Sequence, residues 1–292
     1  MYEIKPVVPA HAMAARLATF MRAVDQDPTP LLQCCRLLTD GSTHTAVSVG
    51  AQAQVAVVGE WPNRGVPRSA LLERTCDPVM RANMLTLMQQ PTGQRFVEFS
   101  SGRRGVGMTF HLFRTRSLLL ELQLIASMSH MLEHTITRFL DLAERLACVH
   151  RSVGISVSWR PPTDYTWSLH VPVATEATPG TSLQCVDEVA AELDVDTDAR
   201  ALVRELHPVL GIDAPTMVTL TASPTVVLPE LSLTYSQCPL DIVVGCACSL
   251  SGDDSGPLLG KIAGVFDLDV AAGFEVTMRR DEQLDWRVAV GR

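Results

Sequence analysis

Apolar side chains recur at every second position in one stretch of this chain after another, and that period limits what the chain can become. Val106, Met108, Phe110 and Leu112 share one side of the segment from Gly105 to Phe113. Ile155, Val157 and Trp159 alternate with Ser156 and Ser158, and Tyr165, Trp167, Leu169, Val171 and Val173 repeat the pattern. Near the end, Phe274, Val276 and Met278 face Trp286, Val288 and Val290 across a turn. Successive side chains of a strand point to opposite faces, so each stretch predicts a strand with one apolar and one polar side. Phe96 to Ser100 joins Gly105 to Phe113 as a hairpin. Shorter strands are expected at Leu31–Leu38, Thr45–Val49, Val55–Trp61, Met217–Thr221, Leu231–Tyr235 and Ile242–Leu250.

Helical spacing separates these strands. Met13, Leu17, Phe20 and Met21 predict a helix over His11–Val24. Ser69 caps a second that runs to Cys76, and Asp77-Pro78 restarts it as far as Gln90. From Ser117 to Cys148 the stripe Leu118, Leu122, Ile125, Leu132, Ile136, Phe139, Ala143 and Leu146 predicts one long amphipathic helix. Further helices are expected at Ser182–Leu193, Thr197–His207 and Pro257–Phe266. The fold class that follows is α+β, with antiparallel hairpins packed against long amphipathic helices. The chain divides into residues 1–150 and 151–292, two halves of related or loosely similar architecture.

Composition removes several classes of function. The chain has 292 residues, 47% of them hydrophobic, enough for a sizeable core. Its formal net charge of -8 and pI near 5.5 argue against nucleic acid as a partner. No apolar run reaches membrane-spanning length, and the first ten residues do not read as a signal peptide, so a cytoplasmic protein is expected. Its eight cysteines lack paired CxxC spacing and read as buried thiols. Cys246 and Cys248 are expected on one face of a strand, with Cys238 nearby.

The helix Leu85-Thr86-Leu87-Met88 follows Arg81-Ala82-Asn83. After it come the hairpin Arg95-Phe96-Val97-Glu98 and Val106-Gly107-Met108-Thr109, then the helix ending Arg138-Phe139-Leu140-Asp141-Leu142-Ala143-Glu144. In this order the N-terminal half, about residues 8–149, resembles the class I type III secretion chaperones. The resemblance implies an acidic, cytosolic, usually dimeric protein without catalytic activity. It would hold an extended client segment on an apolar sheet face or strand edge. It places client binding on Val97, Val106, Met108, Phe110 and Leu112, with no cofactor and a client or partner protein as ligand.

One motif offers a different chemistry. His130-Met131-Leu132-Glu133-His134 is an H-x-x-E-H sequence. On a helix, His130 and His134 would lie on one face as zinc ligands, and Glu133 would serve as general base. The segment thus resembles the active-site helix of inverted-motif zinc peptidases, with Glu188 or Glu192 as the distant glutamate ligand. Against it, helical geometry sets both histidines opposite the Leu132 stripe, where a solvent-facing pair is expected. A structural subunit of a larger complex is the third alternative. Gly102-Arg103-Arg104-Gly105 and the acidic Ser251–Gly256 loop read as ordinary turns, and Trp61, Trp159, Trp167 and Trp286 as packing residues.

Overall fold

The computed structural model describes residues 10–39, 45–51, 54–60, 78–90, 93–102, 105–114, 118–129, 131–146, 153–160, 164–172, 179–210, 215–251, 255–266, 270–281 and 284–290. Ten strands form one closed antiparallel barrel, each pairing with its neighbour in the sequence. They are β1 Thr45–Gly50, β2 Val55–Glu60, β3 Gln94–Gly102, β4 Gly105–Arg114 and β5 Val153–Arg160. The ring continues with β6 Asp164–Pro172, β7 Met217–Ala222, β8 Val227–Pro239, β9 Val270–Arg279 and β10 Leu284–Val290. It closes where β1 meets β10, with Val47 opposite Val290 and Val49 opposite Val288. The expected helix-packed α+β architecture is therefore corrected. The hairpins are present, but strands from residues 45–114 and 153–290 join in a single sheet that has no edge.

Before each hairpin stand one or two helices: α1 Ala10–Ala23 and α2 Thr29–Thr39, α3 Pro78–Met88, α4 Leu118–Ser129 and α5 Glu133–Leu146, α6 Pro179–Glu192 and α7 Thr197–Leu210, α8 Leu240–Ser251 and α9 Ser255–Phe266. The unit of helix and hairpin thus recurs five times around the ring. The helices pack on the outer face of the barrel, for instance α2 across β2, β3 and β4, and α8 across β8, β9 and β10. The helical ring is tied at its ends as well. Arg16 Nη1 donates to the Phe266 carbonyl at 2.7 Å, and Lys261 Nζ to the Ala23 carbonyl at 2.7 Å.

Alternation along the strands sorts the side chains. Val47, Val57, Val97, Phe110, Leu112, Val157, Trp167, Leu220, Leu233, Phe274, Val276, Trp286 and Val288 are all buried on the outer, helix-covered face. The core is therefore a shell between barrel and helices, and the opposite face, polar on most strands, is left to line the lumen. Eight strands enclose a space their side chains just fill; ten leave more room. Among the described residues no helix is long and apolar enough to cross a membrane.

Three local expectations are corrected. Leu31–Leu38 lies in the helix α2, where Asp27 Oδ1 accepts from the Thr29 amide at 2.9 Å and starts the turn. Ile242–Leu250 lies in α8, despite its β-branched residues, because Val243, Cys246 and Ala247 fall at helical spacing onto the barrel. The helix expected over Ser117–Cys148 is two, because the Leu132 amide bonds the Pro224 carbonyl at 3.0 Å and turns the chain between α4 and α5. Trp61 and the helix expected at Ser69–Cys76 lie outside the described residues.

Replacing the fully buried Phe110 by Ala should cost about 3–5 kcal/mol in urea unfolding. Ser158→Ala on the lumenal face, which loses one bond to Thr109 at 3.0 Å, should cost less than about 1.5 kcal/mol. Equal losses would contradict the placement of the core outside the barrel.

Candidate functional site

The lumen is built by residues that the strand period turns away from the helices. Register carries them round the ring: Glu98 opposite Thr109, Thr109 opposite Ser158, His170 opposite Thr219, Thr219 opposite Ser232, Ser232 opposite Thr277, and Glu275 opposite Arg287. Hydroxyls dominate this surface. Ser232 and Thr277 lie 2.8 Å apart, and Ser168 and Thr221 3.4 Å. Ser48 Oγ and Thr234 Oγ1 are buried on the same face without a hydrogen-bond partner among the described residues.

Charge is concentrated at one point. Arg287 Nη1 donates to Glu98 Oε1 at 3.0 Å. Their strands, β10 and β3, are separated by β1 and β2, so this bond is made across the interior of the barrel. His111 Nε2 approaches the other carboxylate oxygen at 3.7 Å. Burial pushes the Glu98 carboxyl up, but the guanidinium of Arg287 and the bonds from His111 and Arg287 outweigh it, holding Glu98 down to about 2. The carboxylates of Glu98, Glu275 and Asp285 in turn keep Arg287 firmly protonated against the opposing effect of burial. Glu275 is raised, because burial and the charges of Glu98 and Asp285 outweigh the pull of Arg287. The Arg287 side chain stands on the lumenal side of β10 and keeps 32% of its surface accessible. Nearer the rim, Arg279 pairs with Glu230 at 3.3 Å and with Asp285 at 3.5 Å.

Beside the ion pair stands an aromatic wall. Phe96 meets Phe113 edge-on at 6.0 Å, and His111 stacks on Phe113 at 6.2 Å. His170 approaches Phe113 at 5.4 Å and His111 at 5.8 Å. Gly154 makes this wall possible: a Cβ there would stand 2.3 Å from Phe113 Cε1, so the ring lies where any side chain would be. His170 is held from both sides, its Nδ1 2.9 Å from Thr219 Oγ1 and its Nε2 3.0 Å from Ser156 Oγ. Two hydroxyls serve a neutral imidazole, one accepting and one donating. Burial, and then the nearby His111, lower His170 to about 3.

The residues singled out from the sequence lie elsewhere. Val97, Met108, Phe110 and Leu112 are buried on the outer face of β3 and β4, and Val106 is half-buried beside them. A client segment would have to displace helices to reach them, so this hairpin face is core. Glu133 and His134 are exposed at the start of α5, and His134 Nε2 lies 3.3 Å from the Thr225 carbonyl. His130 is outside the described residues, and Met131 and Leu132 are not helical, so the H-x-x-E-H sequence does not share one helix. Glu192 pairs with Arg138 and Arg145 of α5, and Glu188 accepts from Gln184. Among the described residues no group of three or more His, Cys, Asp or Glu is placed to hold a metal ion. Cys238 and Cys246 are buried, on β8 and α8 respectively.

The sequence readings passed over Glu98, His111, His170, Glu275 and Arg287. Their one signal was position: each stands on the polar side of an alternating strand.

No family model and no curated protein matches the sequence. Solved structures do. The chain is similar to AnaPT from Neosartorya fischeri, with a TM-score of 0.69 at 11% identity over 98% of this chain and 95% of that one. It is similar to 6-dimethylallyltryptophan synthase from Micromonospora olivasterospora, solved in complex with DMASPP and Trp, with a TM-score of 0.66 at 12% identity over 98% and 97%. NotF prenyltransferase gives a TM-score of 0.68 at 12% identity over 99% and 96%. At such identity the likeness is one of fold, and it runs the length of the chain. It overturns the resemblance to type III secretion chaperones, and with it the reading as a non-enzymatic client-holding protein or a zinc peptidase. Short runs of helix and hairpin are common to the two folds; ring closure is what separates them.

Two outcomes follow from the charge arrangement. Arg287→Gln leaves a buried carboxylate with His111 as its remaining partner, whereas Glu98→Gln leaves an arginine that still faces Glu275. Arg287→Gln should therefore destabilise more, by about 2–4 kcal/mol in denaturant titration, with the accessible part of Arg287 reducing the cost. A larger loss from Glu98→Gln would refute this balance. As for pH, the unfolded chain takes up a proton at residue 170 below its ordinary value of 6.5, and the folded protein resists until about 3. Stability due to neutral His170 is thus present above pH 6.5 and lost as pH falls through that window. Between about pH 6.5 and 5 the protein should lose ~1.5 kcal/mol more than His170→Gln. Glu275 works in the opposite sense and enters both proteins alike, and the window of Glu98 lies lower. Parallel pH profiles would refute the assignment.

Proposed function

We propose that this chain is an enzyme that transfers an allylic group from a diphosphate donor to an aromatic acceptor inside the barrel lumen. The observation that carries this reading is Glu98, bonded to Arg287 across the barrel interior beside the wall of Phe96, Phe113, His111 and His170, in a fold shared end to end with NotF prenyltransferase. The wall offers stacking surface to a planar ring. Glu98 accepts a hydrogen bond from an N–H or O–H on that ring, which raises the ring's electron density. In the reaction the allylic C–O bond breaks, and the electron pair leaves on the diphosphate. A ring atom of the acceptor forms the new bond to the allylic carbon, and the proton it displaces passes to Glu98. Arg287 and Arg279 are the guanidiniums of the described lumen that would meet the departing charge. The buried thiols of Cys35, Cys238 and Cys246 fit a reducing compartment such as the cytosol.

A second reading rests on a different observation. Among the described lumenal residues the carboxylates of Glu98, Glu230, Glu275 and Asp285 face the guanidiniums of Arg279 and Arg287. An acidic interior suits an amine-bearing small molecule, bound without turnover.

Incubating the purified chain with dimethylallyl diphosphate and a panel of indoles and phenols separates the two. Transfer predicts a product heavier by one dimethylallyl group, detected by mass spectrometry. Glu98→Gln should lower the rate about 10²–10⁴-fold, the range of a general base. No product with any acceptor, together with salt-sensitive binding of aromatic amines, would replace the first reading with the second.

A further inference from the structure

Arg287 is placed to serve two anions in turn. It bonds Glu98 at 3.0 Å, while Glu275 stands directly opposite it on β9. A third of its side-chain surface, 32%, is accessible. A guanidinium so placed reaches a lumenal anion by rotating its own side chain, with no strand displaced. Its planar fork matches a phosphate as well as a carboxylate.

We propose that Arg287 is an exchangeable counter-ion, which pairs with Glu98 until the anionic group of the donor draws it away and leaves Glu98 to receive the acceptor's proton. This inference rests on the reading of the lumen as a site for allylic transfer. It resolves a conflict within that reading. A carboxylate tied to a guanidinium is a poor base, and a guanidinium tied to a carboxylate is a poor anion site; exchange relieves both at once. With Arg287 withdrawn, the groups facing Glu98 are His111 from β4 and, at longer range, His170 from β6 and Glu275 from β9. Burial then acts on Glu98 with less opposition and favours its protonated form. Glu275 is itself raised by burial and by the charges of Glu98 and Asp285. The donor thereby prepares the base, and donor and acceptor bind with positive coupling.

The test is calorimetric titration of inorganic pyrophosphate into the full-length chain at about pH 5.5, in two buffers of different ionisation enthalpy. Binding to the unaltered protein should draw up to about one proton beyond that drawn by Glu98→Gln. Arg287→Gln should weaken pyrophosphate about tenfold or more, and Arg287→Lys should recover part of the loss. Should Arg287→Gln fail to fold, the double variant Glu98→Gln, Arg287→Gln removes the carboxylate as well and is compared with Glu98→Gln alone. Proton uptake unchanged by Glu98→Gln, or affinity unchanged by loss of Arg287, overturns the exchange. If allylic transfer is nevertheless observed, only the exchange falls. Absence of both transfer and pyrophosphate binding removes the proposed function with it.

Discussion

The backbone ladder between β1 and β10 is the constraint on which the rest of this structure depends. Until Val47 pairs with Val290 and Val49 with Val288, the ten strands are a long open sheet with two exposed edges. Closing it satisfies both rows of backbone groups and creates an interior that no single strand defines. The helical layer repeats the closure, because α1 is tied to α9 through Arg16 and Lys261. First and last segments of the chain are thereby joined twice, once in each layer.

Closure also settles which face of each strand does what. Helices on the outside take the apolar face and form the core there, with Phe110, Trp167 and Trp286 buried beneath them. The lumen inherits the polar face: serines, threonines, two histidines and the charged groups around Arg287. The chamber in this fold is therefore not a cleft between domains. It is the reverse side of the same alternation that stabilises the protein. Changes in the chamber leave the shell largely intact, so its chemistry can vary while the fold is kept, in accord with structural likeness at 11–12% identity.

Within the chamber, the Glu98–Arg287 pair and the Phe113 ring over Gly154 are held by different physics. The ion pair is a balance in which burial opposes charge. The aromatic wall is steric, set by the absence of a side chain at Gly154. One part of the lumen is set by electrostatic balance and the other by shape.

Much of the local structure was legible in the sequence. The hairpins at residues 94–114, 153–172 and 270–290 follow from period two, and α1, α6, α7 and α9 from helical spacing. Where a short segment was apolar on all sides, as in α2 and α8, composition did not distinguish helix from strand, and packing on the barrel decided. The site was not legible at all. Glu98 and Arg287 are 189 residues apart in sequence, and they meet only because the ring brings β3 and β10 across one interior. Alternation told which side chains share a face; it is a local property and carries no information on which face will be enclosed. By itself, then, the sequence determined the strands, most helices and the two-sidedness of every hairpin. Tertiary closure alone decided that the polar side points inward, since only long-range pairing of the chain's two ends turns a sheet face into an interior.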